Sequence, residues 1–175
     1  MPVVTPDGVQ AEGNVSVVFV SGALTVSAPT VAQITAGTEL SGFIKGGTFT
    51  PTAEQNTGDD RRLASRETYQ VLGRVTRGFD DVQYVYNPQE LDPAGHADNA
   101  AYEDLAEGTT GHIVIRWGLD TDTAYAAGQV VDIIPIEAGA QRKVGPAEND
   151  EFARLVVSQR WGVTGPSSVD VVVAA

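Results

Sequence analysis

The sequence predicts a mainly β protein, and three observations carry that prediction. Nineteen glycines and nine prolines among 175 residues punctuate the chain with turns. Valine and threonine, which suit a pleated half-buried surface, fill many of the segments between. Several of those segments alternate apolar and polar residues with a period of two. The length fits one domain with extended arms and is enough to bury a real core. With no cysteine in the chain, disulfides and thiolate metal sites are excluded, so stability must come from packing or from neighbours.

Charge narrows the function classes. Twenty-three acids against eleven bases give a formal charge of −12, which excludes tight binding to nucleic acid or to anionic membranes, because both depend on basic surface that displaces counterions. No apolar run reaches 18 residues and the N-terminus lacks a basic region followed by an apolar block. The expectation is a protein made in a cytosol that stays soluble.

Taken in order, residues 1–14 ("MPVVTPDGVQAEGN") hold no sustained pattern and read as an N-terminal arm. Val15 to Val20 ("VSVVFV") reads as a strand with Val15, Val17 and Phe19 on one face. "TVAQITAGTELSGFI" mixes β-branched residues with Gly37 and Gly42, the pattern of a short strand and a bend. From Thr68 to Thr76 the alternation places Tyr69, Val71 and Val75 on one face, expected in the core, and Thr68, Gln70, Arg74 and Thr76 on the other with Leu72. Gly78 to Asp81 then read as a turn, with Val82, Tyr84 and Tyr86 on the returning strand, so "YQVLGRVTRGFDDVQYVYN" predicts a hairpin.

The stretch after Pro88 changes character. Six acids and no Lys or Arg lie between Glu90 and Glu107. Within it Asp98 is a candidate N-cap, Ala101, Tyr102, Leu105 and Ala106 have helical spacing, and Gly108 stands where a C-terminal cap belongs, which predicts one helix over 98–107. Three strands follow, His112 to Leu119, Gln129 to Ile136 and Glu151 to Trp161. Pro135 is expected at an edge or bulge because it cannot donate to a ladder. A long polar loop, "AGAQRKVGPAEND", is expected between the last two. Residues 166–175 read as a final strand or an arm pairing with something else.

Candidate chemistry is thin. His96 and His112 are the only imidazoles and neither has a second ligand at metal spacing. No G-x-S-x-G elbow exists for a nucleophilic serine. "DTDT", Asp120 to Thr123, opens like a calcium loop, but Tyr125 stands where the loop needs glycine, so it reads as a turn. Asn14-Val15-Ser16 matches a glycosylation acceptor without a secretion signal to give it meaning. The run Asp59, Asp60, Arg61, Arg62 lies in a polar segment. Adjacent acids and bases there form surface ion pairs that stabilise little but can fix register and partner choice across an interface. The expectation is an inter-subunit contact and no catalysis, cofactor or metal.

These segments, "VAQITAGTELSGFI", "FTPTAEQNTGDDRRLASRETYQ", "GHIVIRWG" and "AAGQVVDIIPIEAGAQRKVGPAENDEFARLVVSQRWGVTGP", follow one another from Val31 to Pro166. Together they resemble the major tail protein, or tail tube protein, family of siphophages that infect actinobacteria. The resemblance implies an antiparallel β-sandwich or barrel with one short flanking helix, mapped to 98–107, and a long protruding loop, mapped to 50–65, in a single domain over 15–175. It also implies hexameric rings of the chain itself, stacked into a hollow tube around a tape measure protein, with tail-end proteins as further partners and DNA passing in transit. On that picture the polar strand faces, with Thr68, Gln70, Thr76, Gln83 and Asp132, are expected to line the lumen. The rival readings are another virion ring or decoration protein, or a non-catalytic β-sandwich binding module. Exposed aromatics grouped on one sheet face would favour the module, whereas Trp117 and Trp161 read as core.

Overall fold

The first strand forms where the sequence places it. β1 (Val15–Val20) is an unbroken apolar run because both of its faces are buried: Val17 and Phe19 enter one core cluster, Val18 and Val20 another. The computed structural model describes residues 7–90, 97–145 and 153–175. Beside β1 lie β2 (Thr38–Glu39) on one side and β5 (Thr110–Trp117) on the other. β6 (Val130–Val144), β7 (Val156–Val163), β4 (Tyr69–Val85) and β3 (Pro51–Asp60) continue the sheet, and every pairing is antiparallel. β8 (Ser168–Val172) pairs with the first part of β6, so the C-terminal residues are a sheet strand.

This is the mainly β, sandwich-like fold expected. The sheet curls because β6 is shared: its first half pairs with β5 and its second half with β7, with a register shift between Ala138 and Gln141. Gly139 sits at that bend, where a Cβ would stand 2.7 Å from the carbonyl oxygen of Arg160. Strands β1, β5, β6, β7 and β4 thereby turn one face inward on a common core of Phe19, Ile113, Ile136, Tyr84, Phe79 and Trp161. The reverse face of β1, β5 and β6 is covered by a second cluster that includes Ile34 and Val173. Pro135 is not on an edge strand or at a register shift as expected, since it lies opposite His112 of β5. It falls where the neighbour of β6 changes from β8 to β7, and its carbonyl accepts from Thr164 at 3.1 Å on that side.

Several expectations are corrected. Residues 31–35 are helical, not a strand: α1 (Val31–Thr35) opens on a capping box in which Thr30 Oγ1 accepts from the Gln33 amide at 3.2 Å and Gln33 Oε1 accepts from the Thr30 amide at 3.1 Å. The cap outweighs the β-branched composition. The flanking helix expected over 98–107 is shorter, α2 (Ala100–Asp104), preceded by a 3-10 turn at Ala97–Asn99. Asn99 is its N-cap rather than Asp98. Its C-cap is Leu105, so Gly108, at φ 83°, lies in the turn that follows rather than at the cap expected.

The hairpin predicted over 68–86 is a single 17-residue strand, β4. Gly78 to Asp81 form a β-bulge instead of a turn, because β4 is still paired to β3 at Phe79 when its pairing to β7 begins at Gly78. Asp81 takes a left-handed backbone, φ 57°. Its carboxylate accepts from the Ser158 hydroxyl and lies 3.3 Å from Arg142, while Asp80 pairs with Arg160 at 2.9 Å. The loop expected over 50–65 is mostly strand β3, and the loop expected from Ala138 is absorbed by β6 as far as Val144.

Candidate assembly interface

β3 and the first half of β4 form a two-stranded ribbon. Their register runs from Pro51 opposite Phe79 to Asp60 opposite Tyr69, with an irregularity between Gln55 and Thr57. Only its root touches the body. There Phe49 stacks on Phe79 with centroids 5.3 Å apart, and Phe79 meets Trp161 at 5.5 Å. Eight further pairing residues of β3 at about 3.3 Å each carry the ribbon roughly 25 Å out.

Beyond Gly78 both edges of the ribbon are unpaired among the described residues, since β3 pairs only with β4, and β7 pairs with β4 from Gly78 onward. Its side chains are in water. Leu63, Tyr69, Val71, Leu72 and Val75 are all exposed, which corrects the expectation that Tyr69, Val71 and Val75 pack in the core. The alternation was real, but no described residue covers it. A two-stranded ribbon alone is marginal in water, and long open edges invite pairing with other chains.

The four charged residues singled out in sequence lie at the far end of this arm. Arg62 donates Nε and Nη2 to Asp60 Oδ2 at 3.0 and 2.9 Å, and Arg61 lies 3.7 Å from Asp59. Both pairs are local and exposed, so they shape the tip more than they stabilise it. The five residues expected on the lumen do not share a surface. Thr68, Gln70 and Thr76 are exposed on the arm. Gln83 lies in the body, where it alternates with buried Val82 and Tyr84 and its backbone bonds to Lys45 and Thr48. Asp132 lies at the end of the main core face and accepts from Trp117 Nε1 and from the Asp170 amide, each at 2.9 Å.

Trp117 is a further correction: it is exposed, whereas Trp161 is fully buried as expected. A buried polar hub, not legible in sequence, ties α2 to the sheet. Gln159 donates to the carbonyls of Leu105 and Gly139, both at 2.7 Å, and accepts from Tyr84 and Trp161. Gln141 donates to the Tyr84 hydroxyl and to the carbonyls of Tyr102 and Leu105. Burial pushes the Tyr84 hydroxyl above its usual range, so it serves here as a neutral donor and acceptor.

Of the remaining candidates from the sequence, His112 is held below the usual imidazole range by burial, and His96 lies outside the described residues. "DTDT" is the turn expected, with Thr123 donating to the Asp120 carbonyl at 2.9 Å and the Asp122 amide to Asp120 Oδ1. Arg116, fully buried, holds that turn by donating to the carbonyls of Thr123 at 2.7 Å and Asp120 at 2.9 Å, and its guanidinium lies 4.5 Å from the centre of the Tyr125 ring. Among the described residues no group of three His, Cys, Asp or Glu could hold a metal ion, and no helix is long and apolar enough to cross a membrane.

A curled β body that projects an open-edged ribbon has the build of a structural subunit made to meet other chains. Comparison with protein families agrees: the model of the phage tail tube protein family matches residues 3–175. The chain belongs to the phage tail tube protein family, whose members are structural, non-catalytic components of the virion tail that assemble with one another. No curated protein matches the chain.

Proposed function

We propose that this chain is the repeating subunit of a siphophage tail tube, forming hexameric rings that stack around a tape measure protein into a conduit for DNA, with tail-end proteins closing the ends. The observation that carries the reading is the arm: an apolar-bearing ribbon, open on both edges and anchored by aromatic stacking at its root, is completed when a neighbouring copy covers it. Heterologous contacts of this kind close into rings or grow without limit. The likeness of Val31 to Pro166 to tail proteins of phages infecting actinobacteria supports a host of that kind.

The dimensions and the charge suit transit. Six subunits giving about four strands each make a barrel of about 24 strands, whose spacing of about 4.8 Å and tilt of about 40° set a backbone diameter near 48 Å. Side chains of roughly 5 Å leave about 38 Å, wide enough for a duplex about 20 Å across. Six copies at −12 give a ring charge of about −72, and an acidic wall offers phosphates no counterion-releasing grip. Gln83 is the body position proposed to face that lumen; Thr68, Gln70 and Thr76 go with the arm, and Asp132 with the sheet end beside Trp117.

Negative-stain microscopy of the concentrated protein tests the reading, with hollow tubes or stacked six-fold rings expected. Because Thr52 lies opposite Gly78, residues 53–77 can be replaced by an Asn-Gly turn, and that variant should fold yet fail to polymerise. Tubes from the shortened variant would remove the arm from assembly, and persistent monomers of the intact protein at all concentrations would end the proposal.

A further inference from the structure

The face of the sheet that carries the main core does not stop where its cover stops. Val15 pairs with Trp117, and the pairing of Ile115 with Asp132 brings Trp117 level with Val130, which pairs with Val172. Residues opposite one another in antiparallel strands share a face, so Val15, Trp117, Val130 and Val172 form one row across β1, β5, β6 and β8. Trp117 is 48%, Val130 46% and Val172 56% exposed. The row is fixed rather than loose, because Asp132 bonds both the Trp117 indole and the Asp170 backbone at 2.9 Å.

Its exposed surroundings are of one sign, the guanidinium of Arg116 being fully buried. The segments 7–15, 117–132 and 168–175, which meet at this end, contain Asp7, Glu12, Asp120, Asp122, Asp132 and Asp170 and no Lys or Arg. The arm is the opposite. Residues 51–78 hold five arginines and four acids, a net +1, so the rest of the chain carries −13. Arg61 and Arg62 are paired locally, while Arg66, Arg74 and Arg77 form no ion pair among the described residues.

We propose that this apolar row with its acidic rim is the seat for the arm of a second copy, Leu72 and Val75, which share one face of the ribbon, covering the row while Arg66, Arg74 and Arg77 meet the carboxylates. The inference rests on the tube-subunit reading and adds to it where the arm lands. An interface with an apolar centre and a complementary charged rim gains both burial and register. The chain's own arm does not occupy the row, since Leu72 and Val75 are exposed.

The absence of cysteine makes the test clean. A Leu72→Cys, Val172→Cys double variant, assembled and then oxidised, should give an intermolecular ladder on a non-reducing gel. A Leu72→Cys, Thr35→Cys variant, with its second thiol on α1, should not. In parallel, Arg74→Glu with Arg77→Glu should lose assembly, Glu12→Lys with Asp122→Lys should lose it too, and all four changes together should restore it. Tubes that form without the Val172 ladder, an equal ladder from Thr35, or no restoration in the fourfold variant would overturn the seat while leaving the tube reading standing. If the unaltered protein forms no tubes, the tube reading fails and the seat with it. Removing residues 1–6 should leave acrylamide quenching of Trp117 in dispersed subunits unchanged; increased quenching would make the chain's own N-terminus the occupant and also overturn the proposal.

Discussion

The Nε2 of Gln159 lies 2.7 Å from the carbonyl oxygen of Leu105, joining the residue that ends α2 to the centre of β7 inside the core. The same side chain accepts from the Tyr84 hydroxyl at 3.1 Å and the Trp161 indole at 3.0 Å. Helix C-termini leave carbonyls without intrahelical partners, and here a sheet glutamine supplies a donor. Replacing Gln159 with Leu leaves two donors and two carbonyls with a lost partner. The expected loss is about 3 kcal/mol, a fall in Tm of roughly 6–12 °C by calorimetry. An unchanged Tm would show that the hub does not hold the helix.

Asp81 should give the protein an acid-sensitive joint between arm and body. Its carboxyl is held below the ordinary 3.8 chiefly by the Ser158 hydroxyl, helped by Gln83 and Arg142 and opposed by desolvation. A depressed carboxylate stabilises the fold above its unfolded-state pKa, and that contribution is lost as pH falls below about 4 through the folded value. Asn tolerates left-handed backbone, so Asp81→Asn removes the charge without the strain. In melts from pH 7 to pH 3 the variant should be the less stable at neutral pH and should converge on the parent in acid. A gap that stays constant across that range would contradict the assignment.

Phe79 anchors the arm and fills the core at once. Phe79→Ala is expected to cost about 3–5 kcal/mol through lost burial, a residual cavity and lost contacts with Phe49 and Trp161. Hydrogen exchange should then accelerate through residues 51–78 more than in β1 or β5. Uniform acceleration across the sheet would mean the aromatic root does not set the arm's stability.

Gly111 is required by close approach. A Cβ there would stand 2.6 Å from both the Phe19 ring and the Val20 carbonyl oxygen. Gly111→Ala should destabilise by about 2 kcal/mol, because β1 and β5 must separate to admit it. Gly58→Ala, in open space on the arm, is the control, expected within about 0.5 kcal/mol of the parent by urea titration.

The sequence was readable wherever a segment's partners lie close by or its pattern is complete in itself. "VSVVFV" gave its strand to the residue. Val31 to Thr35 failed because one reciprocal cap, Thr30 with Gln33, outweighs β-branched composition. Gly78 to Asp81 failed because glycine beside two aspartates reads as a turn when the ion pairs that straighten it come from β6 and β7, far along the chain. Tyr69, Val71 and Val75 carried a true period of two, but periodicity reports that a face is apolar and not which molecule buries it. Trp117 misled in the same way. Asp59 to Arg62 lie at the tip of the arm, while alternation could not gather the lumen set on one surface, because Gln70, Thr76 and Gln83 are spread along the arm and body parts of β4 and Asp132 lies on β6.

That β4 runs unbroken from body to arm constrains how such a chain can vary. Adding or deleting a single residue between Val85 and Tyr69 would turn every arm side chain to the reverse side relative to the body. Changes of arm length are therefore permitted two at a time, or in the tip at 61–68, where parity is reset.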